Sequence, residues 1–151
     1  ICMRKYFPRQ SSNRMKSVGN TLAARQSYLE NKPSNLKYLL FKRYNWMNKY
    51  LKQSDFVVEL GCGAGLSKEF INKTQVVLSD ISNYEWVDMY VDATNLPFED
   101  GSVDAFICSH MIHHVAHPVT FFKQISRALK KDGVILIVDI NTSLIMKLIL
   151  R

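Results

Sequence analysis

Val57-Val58-Glu59-Leu60-Gly61-Cys62-Gly63-Ala64-Gly65 is the stretch that decides the fold. Two β-branched residues, which favour a pleated strand, lead into a carboxylate. Three glycines then fall at alternate positions, Gly61, Gly63 and Gly65. Glycine lets a chain bend tightly and lie against a ligand, because no Cβ intervenes. The stretch therefore predicts a buried strand, a very tight bend and a helix start.

The pattern continues on both sides. Downstream, residues 65–73 are expected as a helix, 76–80 (VVLSD) and 87–92 (VDMYVD) as strands, and 99–102 (EDGS) as a turn. Residues 103–109 (VDAFICS) are expected as a further strand. Val119, Phe122, Ile125 and Leu129 mark a helix over 117–131 that stops at Asp132-Gly133. Residues 134–140 (VILIVDI) read as a fifth strand, and Thr142 or Ser143 would cap a last helix over 143–150. Upstream, Leu36, Leu39, Leu40, Tyr44, Met47 and Leu51 recur at helical spacing over 36–52. That helix serves either as a cover packed on the sheet or as one wall of a substrate pocket. Residues 1–33 read as irregular or short-helical. Apolar strands alternating with helices predict an α/β, Rossmann-like, doubly wound and mainly parallel sheet with helices on both faces. In such a sheet, ligands bind at the carboxyl ends of the strands near the switch point of strand order.

The chain has 151 residues, of which 47% are hydrophobic and 22% charged, so it can bury a core as one globular domain. Its three cysteines are odd in number and far apart, with no C-x-x-C pair. This favours neither a disulfide framework nor a zinc knuckle, and a reducing cytoplasm is the expected compartment. The apolar stretch 134–150 is interrupted by Asp139, Asn141, Thr142 and Lys147, and reads as strand, turn and helix rather than a membrane span. The formal net charge of +7 is uneven: residues 1–55 carry a net +10 and residues 56–151 a net −3. Two readings of this basic leader stay open, an anionic partner or a solvated segment without one.

The glycine spacing narrows the ligand. A dinucleotide loop is G-x-G-x-x-G, whereas here Leu66 stands where the third such glycine would be. A carboxylate two residues before the first glycine is awkward beside a pyrophosphate and suits a cationic or ammonium-bearing ligand. A phosphate loop of the G-x-x-x-x-G-K-[ST] type does not fit Gly61 to Lys68 either.

Over about residues 36–141 the chain resembles the class I S-adenosylmethionine-dependent methyltransferases, nearest the small-molecule, methyltransferase type 11-like branch. "VVELGCGAG" resembles the family's first motif and "VVLSDIS" its second strand with a terminal acidic residue. "VDATNLPFEDGSVDAFICSHMIHHV" resembles the third and fourth strands, and "FFKQISRALKKDGVILIVD" the following helix and fifth strand. The resemblance implies a basic leader over 1–35, a methyltransferase domain over 36–151, and S-adenosylmethionine as cofactor, with S-adenosylhomocysteine as product. It further implies that Gly61, Gly63 and Gly65 approach the methionine portion and ribose, and that Glu59 orients the loop or the amino group. Asp80 would accept from the ribose hydroxyls, Asp92 would hold the adenine amino group beside Ala93, Ile81 would pack on the adenine face, and Ser109 would line the methionine end. The ordinary alternatives are a strand-end turn for Asp80, a turn cap for Asp92 and a purely structural carboxylate for Glu59. The family sheet has two further strands after the fifth, which are expected to be absent from this chain. The open sheet edge this leaves is compatible with a homodimer.

Methyl transfer from a sulfonium needs mainly alignment of the reactants, and a hydroxyl acceptor also needs a base. His110, His113, His114 and His117 crowd the segment after the fourth strand. His113 or His114 is the candidate base. Packing after the strand is the plainer alternative, and metal binding by imidazoles four residues apart on a helix is the third; no metal is expected. The expected acceptor is a small molecule, a sugar or another anionic metabolite of surface-polysaccharide biosynthesis, which the resemblance of the leader and of residues 35–52 suggests. A transfer RNA modifier is the alternative, because RNA-acting branches share the "LPFEDGSVD" and "HH" features. A non-catalytic partner subunit is the third reading.

Overall fold

The computed structural model describes residues 20–140. The expected helix over 143–150 and the first part of the basic leader lie outside the described residues. Eleven elements run in the order α1 (Thr21–Asn31), α2 (Ser34–Tyr44), a 3₁₀ turn (Asn45–Lys49), β1 (Val57–Leu60), a 3₁₀ turn (Ser67–Glu69), β2 (Val76–Asp80), β3 (Met89–Tyr90), β4 (Val103–Ser109), a 3₁₀ turn (Ile112–His114), α3 (Pro118–Ala128) and β5 (Leu129–Val138). The five strands form one sheet in the order β3-β2-β1-β4-β5. Every pairing is parallel.

The strands read as continuous apolar runs because both faces are covered. On one face Val57, Leu78, Ala105, Ile107 and Leu136 pack with Leu40, Tyr44 and Met47 from α2 and the following turn. On the other, Val58, Leu60, Phe106 and Cys108 pack with Phe121, Ile125 and Ala128 of α3. The alternation of side chains along β1 and β4 sends successive residues to opposite cores. The described part of the leader supplies α1, capped by Asn20, whose side chain accepts from the Ala23 N–H at 3.0 Å. Tyr28 fastens it to the body: the residue is 1% exposed and its hydroxyl donates to Glu69.

The structure differs from the predicted elements in several places. The strand expected over 87–92 is confined to Met89–Tyr90, and Asp92 beyond it turns the chain by accepting from the Thr94 N–H. The helix expected over 117–131 ends at Ala128, where β5 begins. The helix expected over 65–73 is reduced to the single turn Ser67–Glu69. Asn48 explains this: its Nδ2 donates to Phe70 O at 2.9 Å, and its Oδ1 accepts from the Asn72 and Lys73 N–H groups. A distant side chain thus takes the backbone groups that further helical turns would need. The helix expected over 36–52 ends its α-helical part at Tyr44. Trp46 Nε1 donates to Arg43 O and Asn48 Nδ2 to Asn45 O, so side chains capture carbonyls and tighten the chain into 3₁₀ geometry. Strand β5 begins at Leu129 rather than 134, where Leu129 pairs with Val103 before an irregularity resumes the ladder at Val134. Gly133 permits that crossing, since a Cβ there would lie 3.0 Å from Asp104 O and 2.9 Å from Leu129 Cδ2.

Candidate functional site

Strand order places the switch point between β1 and β4, and the loops leaving these two strands meet there. A Cβ on Gly61 would lie 2.9 Å from Met111 Cβ. Around this point opens a cavity of about 670 Å³, lined from the carboxyl ends of β1, β2 and β4. A larger hollow, about 940 Å³, lies at the amino ends of β1 and β2 around Asp55, Phe56 and Val76. Ligands of open parallel sheets bind at carboxyl ends, and the convergent carboxylates sit there, so the smaller cavity is the candidate site.

Gly61, Gly63, Asp80, Ile81, Asp92, Ala93, Ser109 and His114 of the expected site line this cavity. All three loop glycines have positive φ. Two of them do different work. At Gly63 (φ +51°) nothing lies within 4 Å of where a Cβ would project, so the missing side chain leaves open space. At Gly65 (φ +62°) a Cβ would lie 2.5 Å from Trp86 Cδ1 and 2.9 Å from Leu78 Cδ1, so its absence admits the indole. Gly65 itself lies beside the cavity, against Trp86.

Asp80 ties the site together. Its Oδ2 accepts from the Gly63 N–H and its Oδ1 from the Ser82 N–H, both at 2.9 Å. One carboxylate thus links the loop after β1 to the loop after β2, and each oxygen keeps acceptor capacity for a hydroxyl. Asp92 makes a local turn in which one oxygen, Oδ1, accepts both the Thr94 N–H and its Oγ1–H at 2.7 Å. These Thr94 bonds hold the carboxyl below its ordinary value, so it stands ionised. Ile81, 62% exposed at the end of β2, faces this cavity with Val91, Ala93 and Val115, which makes an apolar slot between the acceptors.

Glu59 lies beneath the loop, fully buried. It accepts from the Ser67 hydroxyl and, at 3.2 Å, from the Tyr44 hydroxyl. Burial pushes its carboxyl up to about 7, against the opposing pull of those hydroxyls. Glu59 is not among the cavity-lining residues; its two hydroxyl partners lie on the turn after the loop and on α2.

The histidines do not share a helix face. Only Ile112–His114 is helical, as one 3₁₀ turn, so the i, i+4 pairs assumed for metal ligation are not assembled that way. Among the described residues no group of three or more His, Cys, Asp or Glu side chains is placed to hold a metal ion. His114 lines the cavity, with His110 beside it. His113 lies outside the lining, its Nδ1 2.7 Å from Asp139 Oδ1, and its ring centroid is 4.0 Å from that of His114. His110 adopts φ +54°, a strained conformation for a residue with a side chain. Burial, then the nearby Arg43 charge, holds its imidazole below the usual histidine range.

Sequence reasoning missed several participants. Arg25 of α1 donates to Ala64 O and sits 4.5 Å over the Trp86 ring. Trp86 Nε1 donates to Gly63 O at 2.8 Å. The loop carbonyls are therefore held from outside by two residues that no local motif marks. Arg43, Thr21 and Met111 line the cavity, and Asp139 reaches His113 across 26 positions of sequence. The Asn20 cap ahead of Thr21 was the one readable signal for α1.

A family profile described as "Methyltransferase domain" matches residues 58–137, more than half of the chain. The chain belongs to the methyltransferase-domain family. Its five-stranded parallel sheet is the Rossmann-like fold of the class I, S-adenosylmethionine-dependent methyltransferases, and S-adenosylmethionine is the cofactor of these relatives. No curated protein matches the chain. Among solved structures, a candidate S-adenosyl-L-methionine-dependent methyltransferase of Methanococcus maripaludis aligns with 80% of this chain and 64% of its own at 16% identity, TM-score 0.58. The complex of the Haloferax volcanii Trm112 methyltransferase activator with a candidate methyltransferase aligns over 75% and 55% at 20% identity, TM-score 0.53. The [4+2]-cyclase SpnF aligns over 67% and 42% at 22% identity, TM-score 0.50. The chain spans about two fifths to two thirds of the length of these solved chains, and the likeness is one of fold. A cyclase among them shows that this fold does not by itself name a reaction.

The residues present fit the family's cofactor. The cradle at Gly63 is open, Asp80 has acceptors to spare, and Asp92 is ionised beside an apolar slot. No helix among the described residues is long and apolar enough to cross a membrane.

Proposed function

We propose that this chain is the cofactor-binding part of a methyltransferase that acts on a small molecule bearing an anionic group, a sugar derivative of surface-polysaccharide biosynthesis being the leading acceptor. The observation that carries this reading is the Asp80 bracket, with Gly63 on one side and the Asp92 slot on the other. It is an arrangement suited to a ribose diol and an adenine ring. In this reading Asp80 takes the ribose hydroxyls, Asp92 the adenine amino group, Ile81 and Ala93 the faces of the ring, and Gly61, Gly63 and Ser109 the methionine end. S-adenosylmethionine supplies a methyl group on a sulfonium with a good leaving group. The chain's residues then orient the acceptor, exclude water and, for a hydroxyl acceptor, remove a proton. His114, which lines the cavity, is placed to accept that proton, and His113, fixed by Asp139, packs on it. We place the enzyme in the cytoplasm, where the buried thiols of Cys62 and Cys108 stay reduced, with residues 36–151 as the catalytic domain.

Among the described residues, Arg25 is engaged with loop carbonyls and Lys32 lies 4.0 Å from Glu69, so these two cations are not available to a polyanion. The test has two stages. Titration calorimetry with S-adenosylhomocysteine reads the cofactor site, and absence of binding would support the non-catalytic alternative. Incubation of metabolite and RNA pools with labelled cofactor, followed by mass spectrometry, identifies the acceptor.

A further inference from the structure

Between Glu30 and Asp55 the chain holds no acidic residue, yet Lys32, Lys37, Lys42, Arg43, Lys49 and Lys52 all fall there. Helix α2 lies in the middle of this stretch. Its inner side is fixed by Leu40 and Tyr44, both buried in the core. A helix turns once in about 3.6 residues, so Tyr38 and Lys42 stand on the opposite side, with Leu39 on one flank and Phe41 on the other. The outward side is nonetheless apolar: Tyr38 is 61%, Leu39 60% and Phe41 43% exposed. Single exposed apolar residues are ordinary, but three so close together on the outer side of one helix form a patch of the kind that marks an interaction surface. Lys42 belongs to the same patch, its Nζ 6.0 Å from the centre of the Tyr38 ring. Among the described residues Lys42, Lys49 and Lys52 make no ion pair, whereas Lys32 and Lys37 face Glu69.

We propose that the outward face of α2 docks on the surface of a lipid bilayer bearing anionic headgroups, with Tyr38, Leu39 and Phe41 entering the headgroup layer and Lys42 paired with a lipid anion. Apolar side chains interleaved with cations and free of acids are the chemistry of helices that lie on a membrane, and aromatic rings settle at headgroup level. Each cation held near an anionic leaflet strengthens partition about fivefold, so docking is reversible and weakens as salt screens the charges. A second copy of this chain fits the face less well, because a two-fold contact sets the patch against itself and brings Lys42 towards its own twin. A single-stranded nucleic acid is also the weaker match. Bases stack on aromatic rings, but Leu39 offers neither a ring nor a donor. Arg43 lies one turn beyond Leu39 on the same flank and lines the cavity. Docking therefore brings that wall of the cavity to the bilayer surface, whatever reaction the cavity serves.

The test is co-sedimentation of the full chain with vesicles of phosphatidylcholine alone and of phosphatidylcholine with about a third phosphatidylserine. The unaltered chain should bind the anionic vesicles at least tenfold more tightly than the neutral ones, and lose that advantage as salt rises from about 0.05 to about 0.3 M. Lys42→Gln should weaken binding about fivefold, and the double variant Leu39→Ser with Phe41→Ser at least tenfold. Val119→Ser, which alters an exposed apolar position on α3, should stay within twofold. Urea midpoints equal to that of the unaltered chain exclude misfolding as the cause. Lys42→Glu, which alters only a charge, should lose more than Lys42→Gln and reads the face even if the double variant fails to fold. Docking through α2 is overturned if the unaltered chain ignores anionic vesicles, or if the α2 variants partition as it does, since another segment then carries the binding. It is overturned equally if the double variant leaves vesicle binding intact and instead abolishes a dimer in sedimentation equilibrium or binding to a single-stranded RNA oligomer.

Discussion

Adding a single methyl group at Gly63 or at Gly65 should damage the protein in two different ways. Both residues have positive φ, so Ala at either position carries a backbone cost of about 1–2 kcal/mol. At Gly65 the new Cβ also meets Trp86 at 2.5 Å and Leu78 at 2.9 Å. Overpacking of this kind costs about 1–3 kcal/mol more, for a total of about 2–5 kcal/mol of folding stability. At Gly63 the Cβ meets nothing within 4 Å, so the stability loss stops at about 1–2 kcal/mol. That Cβ instead projects into the cavity, where overlap with a bound nucleoside costs about 1–3 kcal/mol, or about 5- to 150-fold in affinity. Urea denaturation of Gly65→Ala and Gly63→Ala, with calorimetric titration of S-adenosylhomocysteine at a temperature where both are folded, reads the two effects separately. If Gly63→Ala binds the ligand as well as the unaltered chain does, or if it is the less stable of the pair, the assignment of the loop faces is wrong.

Three further outcomes follow from other residues. Asp80→Asn keeps the shape but removes the charge that strengthens its acceptor bonds; at about 1.5–3 kcal/mol per such bond, S-adenosylhomocysteine and methylthioadenosine should both weaken about 10- to 150-fold, and a loss confined to one nucleoside would contradict the ribose role. Because burial raises Glu59 from 4.5 to about 7, the folded state holds a proton that the unfolded chain has released. Stability conferred by that proton is complete below about pH 4.5 and is lost as pH rises towards 7, by an amount on the order of 3 kcal/mol. Urea midpoints from pH 4.5 to 8 should therefore fall in the unaltered chain and flatten over that window in Glu59→Gln; parallel slopes would refute this. Asp139→Ala removes the acceptor of the His113 ring and of the Ile112 and His113 N–H groups. Transfer to a hydroxyl acceptor should then drop at least tenfold, while S-adenosylhomocysteine affinity stays within twofold; equal losses in both would assign Asp139 to the cofactor site instead.

The strands and their terminal acids were legible in the sequence because their information is local. β1, β2 and β4 are apolar runs buried on both faces, and such runs end where polar and glycine residues bring the chain to the surface. The alternating glycines and Asp80 fall at strand ends as expected, Asp92 lies in the turn two residues beyond β3, and the structure brings Gly61, Gly63 and both carboxylates to one cavity. The helix expected after Gly65 failed because its fate lay with Asn48, a residue of another segment that takes its backbone groups.

What the sequence determined by itself was a wound parallel sheet with a glycine bend, an acidic end to β2 and a second acid just past β3 at its carboxyl edge, because periodicity and turn chemistry act between near neighbours. Only the tertiary structure decided that Glu59 lies beneath the loop, that Arg25 and Trp86 hold the loop from outside, that Asp139 orients His113, and that Arg43 faces the cavity. Each of those depends on a contact between segments distant along the chain, whose partners are set by packing and carry no mark in the local sequence.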